Sequence, residues 1–534
     1  MTVHPTWDHP SRHRYPGLEG QPSIEALFAE VAARPELAGR TCLVDGDVRL
    51  TATELTDRVQ RLAGGLASVG VSTGSAVAFQ LPNWWETVAC YRACWRLGAV
   101  AVPIHHLAAE ADVDRALDLV EVDVLLAAAG GPTAGRRDRH GRAAHVVRPE
   151  PGSTLGETTA FEHLLSADPV TTITASPTYP AVVLFTSGST GGPKGVVHTH
   201  RALAYKARSL LGIHGLDHRD TVLMPAPMAH ISGLSNAVMQ AGAGGMCSVL
   251  MAKWSPDAAL DLIAAEGVTV MTGPPTFFQT MMSASTFSSE RVATLRLISC
   301  GGAGVTPAFV EAASAAFGAV VKRTYGSTEA PVATTWRMGD PPEMSGAADG
   351  RAAGEIELRV VDATSGLDRP DGESGELWLR GPELFVGYTD PARTAEAIAD
   401  GDWFRTGDLA TLEEESDGNR WVRIVGRIKD IIIRGGENIS AAEVEALLEA
   451  HPLVHQAVAV GYPDERLGER VCAYIVLAQA PDAAFDLDEC RRWFESRGAT
   501  KFTWPERVEV IGEMPVLASS GKVDRAALRA LAAN

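Results

Sequence analysis

Short apolar runs recur through the first 330 positions, at 77–81, 122–127, 181–185, 268–271 and 295–299. Runs of this length, bounded by turn-forming residues, read as strands buried on both faces. Segments with helical spacing lie between them. The clearest opens at Thr51, where Thr51 and Glu54 have the spacing of a capping box, and runs as an amphipathic stretch to Leu66 before stopping near Gly70. Strands alternating with helices predict an α/β fold built on largely parallel sheets.

The pattern changes from Gly354 to Arg380, where apolar and polar residues alternate, as in Glu355-Ile-Glu-Leu-Arg and Gly375-Glu-Leu-Trp-Leu-Arg. That period predicts antiparallel strands forming a small barrel-like layer. Residues 412–420, acidic and glycine-containing, read as a surface loop, as do 130–141 and 149–153. After Gly426 a small α+β unit is expected: a strand at 430–433, a helix from Ser440 capped by Glu443, strands near 457–460 and 471–476, and a helix at 487–495. The predicted organisation is a large N-terminal domain, 1–427, and a small C-terminal domain, 428–534. No internal repeat is visible.

The formal charge of −19 argues against a nucleic-acid partner and requires any polyanionic ligand to find a local cation cluster. Seven dispersed cysteines form neither a disulfide framework nor a zinc pattern, and Cys90 and Cys94 read as packed core thiols on one helix. The N-terminus has no basic-then-apolar signal, and no apolar run is long enough for a membrane span, so a soluble, cytoplasmic protein is expected.

Candidate chemistry begins at Phe185-Thr-Ser-Gly-Ser-Thr-Gly-Gly-Pro-Lys-Gly-Val196, which follows a predicted strand. The hydroxyls of Thr186, Ser187, Ser189 and Thr190, the bare backbone at Gly188 and the ammonium of Lys194 suit a nucleotide's phosphate chain. It is not a Walker loop, because Pro193 precedes Lys194 and Gly195 follows it. Tyr325-Gly-Ser-Thr-Glu329 sets an aromatic ring, two hydroxyls and a carboxylate beside a glycine turn. Upstream, Gly301, Gly302 and Ala303 are small enough for a flat base to approach the backbone. Further on come Thr406-Gly-Asp408, Gly426-Arg-Ile-Lys-Asp430, Gly435-Gly436, Ser519-Ser-Gly-Lys522 and, in the first half, Pro225-Ala-Pro-Met-Ala-His230.

In this order, these motifs resemble those of the adenylate-forming (ANL) superfamily: acyl-CoA synthetases, luciferases and peptide-synthetase adenylation domains. The resemblance covers most of the chain and implies activation of a carboxylate by ATP to an acyl-AMP, then transfer to a thiol, with ATP, Mg²⁺ and coenzyme A as cofactors. It assigns Tyr325, Gly326 and Ser327 to the adenine and acyl pocket, Thr328 to the α-phosphate and Glu329 to Mg²⁺. Asp408 would accept from both ribose hydroxyls, Arg427 would reach the ribose or the phosphates, and Lys429 would be the hinge of a mobile C-terminal domain. Lys522 would neutralise charge during adenylation, His230 would gate the thiol tunnel, and Gly435-Gly436 would line the path of pantetheine.

Segments 77–86 and 434–440 look most like acyl-CoA synthetases for alicyclic and medium-chain acids, including cyclohexanecarboxylate-CoA ligases. Small residues at 242–245 suggest room for a bulky, hydrophobic, alicyclic or polycyclic acid. The segment Pro515-Val-Leu-Ala-Ser-Ser-Gly-Lys522 departs from the family pattern by lacking a basic residue and a threonine and by being one residue longer. Such a departure is compatible with an enzyme competent mainly in thioester formation from a supplied acyl-AMP. The chain is also compatible with an acyl-AMP ligase loading a separate carrier protein, since no carrier domain follows to Asn534, and with a nucleotide-binding regulator. The expected partners are the small-molecule acid, ATP and CoA, with a homodimer left open, and neither nucleic acid nor membrane.

Overall fold

The computed structural model describes residues 18–148, 159–186, 194–340, 348–414, 418–478, 485–516 and 523–533. Two large sheets carry the first part of the chain. In one, strands Val320–Tyr325, Leu297–Gly301, Val270–Gly273, Thr221–Met224, Cys247–Leu250 and Thr41–Asp45 lie side by side in parallel. In the other, His145–Val147, Val124–Ala128, Ala76–Gln80, Val100–Pro103 and Pro180–Thr186 are parallel, and Lys194–Thr199 then turns back antiparallel. The predicted runs at 77–81, 122–127, 181–185, 268–271 and 295–299 all fall on these strands, displaced by no more than two residues.

One apolar core joins the two sheets, bringing Val77 and Phe79 of one together with Met224 and Leu250 of the other. Helix Trp85–Leu97 runs through this core with every residue buried, Cys90 and Cys94 included. Its two arginines are tolerated there because Arg92 and Arg96 both bond the buried Glu25, at 2.9 and 2.8 Å. A buried charge persists only when paired in this way. Helix Ala52–Ser68 starts at the expected capping box, with both hydrogen bonds formed between Thr51 and Glu54.

The alternating region forms a third, antiparallel sheet: Glu357–Val361, Gly375–Arg380, Trp403–Glu414, Ile398–Ala399 and Arg420–Arg427. The expectation of a loop over 412–420 fails at its two ends, where 412–414 and Arg420 are strand. Leu412 and Val422 pair across adjacent antiparallel strands, as do Glu414 and Arg420, while 415–417 lie outside the described residues. Charged residues mislead here because Glu413 and Glu414 are both exposed at the end of their strand. The segment 130–141 likewise contains a short 3₁₀ turn, Pro132–Gly135.

Beyond Arg427 the chain builds a fourth sheet from Ile431–Arg434, Glu437–Ser440, Val454–Asp464, Gly468–Leu477 and Arg507–Val510. Helices Ala441–Glu449, Leu487–Ser496 and Arg525–Ala532 accompany it. Ser440 caps the first of these by accepting from the Glu443 amide, which is one half of the anticipated box. The fold is thus mixed α/β, with a barrel-like antiparallel layer and a smaller terminal α+β unit. Among the described residues no helix is long and apolar enough to cross a membrane.

Candidate functional site

In open parallel sheets, functional loops gather at the carboxyl ends of the strands. Thr186 and Lys194 form the last described pair of an antiparallel hairpin, at the carboxyl end of Pro180–Thr186. Ser187, Gly188, Ser189 and Thr190, the predicted heart of the phosphate cradle, lie outside the described residues. The strand that follows aligns the rest: the ring of buried His198 bonds the Thr328 carbonyl at 2.7 Å.

On the neighbouring strand Gly387–Tyr388, paired with Val196 and Val197, Tyr388 donates its hydroxyl to Glu329 Oε1 at 2.7 Å. Lys194 Nζ sits 5.1 Å from the centre of the same ring. Burial and the adjacent Glu329 carboxylate push the Tyr388 phenol well above its usual range, so it remains a donor. A lysine and a glutamate thus meet through one tyrosine that local sequence spacing did not single out.

Tyr325 ends the strand Val320–Tyr325 and donates to Asp408 Oδ2 at 2.6 Å, while Arg427 Nε holds Asp408 Oδ1 at 2.7 Å. Burial first, then the Asp408 carboxylate, raises the Tyr325 phenol well above its ordinary value. Asp408 and Arg427 are register partners on adjacent strands, which brings together two motifs about 20 residues apart in sequence. Gly407 adopts φ +70°, allowing the strand to turn the Asp408 carboxylate inward, and its amide donates to Glu376.

Two glycines are imposed by close approach. A Cβ at Gly301 would lie 2.2 Å from the Thr324 carbonyl oxygen, and one at Gly326 would lie 2.5 Å from the Val332 amide. Gly302 and Ala303 are exposed beyond them, forming an open ledge. Ser327 closes the turn: its amide donates to the Ala330 carbonyl, and its hydroxyl accepts from the Ala330 amide, both at 3.1 Å. Val332, a β-branched residue at φ 49°, is strained, and its carbonyl is held by buried Lys206 at 2.8 Å. Lys206 is itself paired with buried Glu383 at 3.1 Å.

His230 belongs to a loop fastened across the two large sheets. Asn83 accepts from the Met228 amide and donates to the Met224 and Ala226 carbonyls, and Tyr91 donates to the Met228 carbonyl at 2.6 Å. The His230 ring lies against His105, centroid to centroid 5.1 Å, and His105 stacks on His106 at 4.9 Å. Neither His105 nor His106 stood out in the sequence. The adjacent pair after the buried strand Val100–Pro103 was the available signal.

Lys429 is exposed in the short turn Ile428–Asp430, where its carbonyl accepts from Arg529. Gly435 and Gly436 form a two-residue hairpin with φ values of +62° and +89°. Both signs are those of a type I′ turn, for which consecutive glycines are favoured. Lys522 lies outside the described residues.

The small residues at 242–245 do not leave room for a bulky acid. A Cβ at Gly242 would lie 2.8 Å from the Phe28 ring, at Gly244 2.9 Å from Leu211, and at Gly245 2.6 Å from Leu37. The space is consumed by helix packing. The cavity beside Gly242 and Phe28 measures only about 60 Å³, room for a few waters and far below the size of an ordinary ligand pocket.

Comparison with known proteins gives this constellation its class. The AMP-binding enzyme family matches residues 28–389, and the AMP-binding enzyme C-terminal domain matches 443–522. The chain therefore belongs to the AMP-binding enzyme family, the adenylate-forming superfamily. Within it the chain stands in the acyl-CoA synthetase branch and is an ATP-dependent acid–thiol ligase acting through an acyl-adenylate.

Its sequence is 33% identical to a medium-chain fatty-acid–CoA ligase of Escherichia coli, spanning 97% of this chain and 92% of that protein. It is 31% identical to a salicyl-AMP ligase / salicyl-S-ArCP synthetase of Mycobacterium tuberculosis, spanning 98% and 93%. The crystal structure of ATP-bound MatB from Rhodopseudomonas palustris superimposes with a TM-score of 0.85 at 26% identity, covering 95% of this chain and 99% of that one.

Proposed function

We propose that the chain converts a bulky hydrophobic carboxylic acid, alicyclic or polycyclic, to its CoA thioester in two displacements at one acyl group. The observation that carries this reading is the unbroken run of contacts Lys194–Tyr388–Glu329 and Tyr325–Asp408–Arg427, joined through the turn 325–329. A cation, a carboxylate, a backbone turn and an acceptor-only carboxylate in sequence are what the triphosphate and ribose of ATP require. Kinship with the fatty-acid ligase and the likeness of segments 77–86 and 434–440 to alicyclic-acid ligases support the acid. The glycines at 242–245 do not contribute to that choice.

In the first displacement a carboxylate oxygen of the acid attacks the α-phosphorus and pyrophosphate leaves. Lys194 and the hydroxyls of Thr186, Ser187, Ser189 and Thr190 would hold the phosphates, Thr328 would meet the α-phosphate, and Lys522 would balance the negative charge that builds between the reactants. The hard carboxylate of Glu329, with one oxygen held by Tyr388, fits a magnesium ion, which prefers oxygen ligands and few protein contacts. Bound there, Mg²⁺ would withdraw charge from the phosphates. Asp408 would accept from both ribose hydroxyls, with Tyr325 and Arg427 fixing its orientation.

In the second displacement the CoA sulfur attacks the acyl carbon, the acyl C–O bond breaks, AMP leaves and the thiol proton passes to solvent. His230 would open the way for the thiol, and Gly435-Gly436 would border the pantetheine. One surface cannot present both Lys522 and the hairpin at once, so residues 428–534 would turn about Lys429 between the steps. A carboxylic-acid panel scored by mass spectrometry for acyl-AMP and acyl-CoA tests the reading, and it fails if alicyclic acids yield neither. The kinship with a salicyl-AMP ligase favours a second outcome, transfer to a separate carrier thiol, distinguished by titrating CoA against holo-carrier.

A further inference from the structure

The three imidazoles His105, His106 and His230 form a cluster that none of the expected chemistry uses in full. They do not make a metal site. His105 and His106 stack with their planes only 19° apart, which places ring faces rather than lone pairs together. Among the described residues no three histidine, cysteine or acidic side chains have metal-binding geometry.

His105 is the most constrained of the three. The Leu107 amide donates to its Nδ1 at 3.1 Å, which makes Nδ1 the acceptor and puts the ring proton on Nε2. Its carbonyl accepts from Gln80 Nε2 at 3.0 Å, and Gln80 Oε1 in turn accepts from the Thr133 amide and hydroxyl. The Ile104 amide bonds the Phe79 carbonyl at 2.9 Å, tying this segment to the central strand Ala76–Gln80. Burial, with His230 and His106 beside it, pushes the His105 ring down to about 3, so it presents a neutral aromatic face at neutral pH.

We propose that His105 is a positioning residue for His230, its fixed ring holding the His230 ring in one orientation and thereby setting how readily a bulky thiol reaches the acyl-adenylate. This rests on the gating role proposed above for His230. The tilt of 48° and the 5.1 Å separation put the two rings in ordinary aromatic contact. A contact of this kind shifts the balance between two orientations by about two- to tenfold. Among the described residues, the contacts of the His105 side chain and carbonyl run to Gln80, Leu107, Ala108, His106 and His230, so replacing His105 is expected to leave the first displacement unchanged.

Four variants distinguish positioning from packing: H105A, H105F, H105N and H230A. Cyclohexanecarbonyl-AMP is supplied directly, with either CoA or hydroxylamine as the acceptor. H105A is expected to slow thioester formation up to about tenfold, with the change in kcat rather than in the KM for CoA, and to leave hydroxamate formation unchanged. H105F, which keeps an aromatic face, should recover most of the loss. H105N, which keeps an acceptor for the Leu107 amide but no ring, should not. Crystal structures of H105A and the native chain should show the His230 ring in different orientations.

An H105A chain whose His230 ring is unmoved overturns the proposal whatever the kinetics. So does an equal loss with CoA and hydroxylamine, which would mark a structural role. If H230A forms thioester at the native rate, the gating role itself falls. If H230A is slow and H105A is not, only the positioning role falls.

Discussion

Replacing Tyr325 by Phe removes one oxygen and leaves the ring in place. The lost bond is 2.6 Å long, and its acceptor, Asp408, is only 3% exposed. Hydrogen bonds to a charged group contribute roughly 1.5–3 kcal/mol, and folding stability should fall by about that amount. The Asp408 carboxylate would not be orphaned, because Arg427 still holds Oδ1 at 2.7 Å. That guanidinium side chain is 51% exposed, however, so its hold is weak.

Nucleotide binding would then have to immobilise a carboxylate that is pre-set in the native chain. Fixing a side chain costs about 0.5–1.5 kcal/mol, or roughly a two- to twelvefold rise in the Kd for AMP. Isothermal titration with AMP reads this without any turnover. Unchanged affinity in a folded Y325F chain would refute the claim that Tyr325 orients Asp408 for the ribose. So would a loss beyond about a hundredfold, which would require direct contact with the nucleotide.

Y388F should spare the cation–π contact of Lys194 but free Glu329, raising the Mg²⁺ concentration for half-maximal ATP–pyrophosphate exchange about two- to twelvefold; no change would separate Tyr388 from metal binding. G242A should lower stability by about 1–3 kcal/mol through collision with Phe28, while the profile of acids accepted stays constant; an altered profile would restore the glycines to the acyl pocket. Burial, with Glu445 nearby, raises Glu449 from 4.5 to about 7. Its protonated form is therefore favoured by the fold: the contribution is whole below about pH 4.5 and fades as the pH rises through 7. Melting should drop between about pH 4.5 and 7 by the equivalent of about 2–3 kcal/mol, and E449Q should flatten that dependence; an equally steep E449Q profile would place the effect elsewhere.

Much of the fold was legible because the signals are local. Strands buried on both faces read as short apolar runs, the Thr51–Glu54 cap marks a helix start, and alternation between Gly354 and Arg380 marks an antiparallel layer. The motifs were legible for the same reason, since Gly301 and Gly326 sit where backbone approaches backbone. The ends of the expected loop 412–420 were misread because Glu413 and Glu414 are exposed residues at the end of a strand, which composition alone does not distinguish from a loop.

Pattern and composition alone established an α/β chain in ordered layers, with hydroxyl, lysine and carboxylate groups suited to a nucleotide. Tertiary structure alone decided which groups touch. Tyr388 joins Lys194 to Glu329 across strands far apart in the chain, His105 meets His230 across the seam between two sheets, and Phe28 fills the space beside Gly242. The reason is physical: periodicity reports which face of an element is buried, but a contact between elements depends on how the sheets stack, and nothing local in the sequence encodes that.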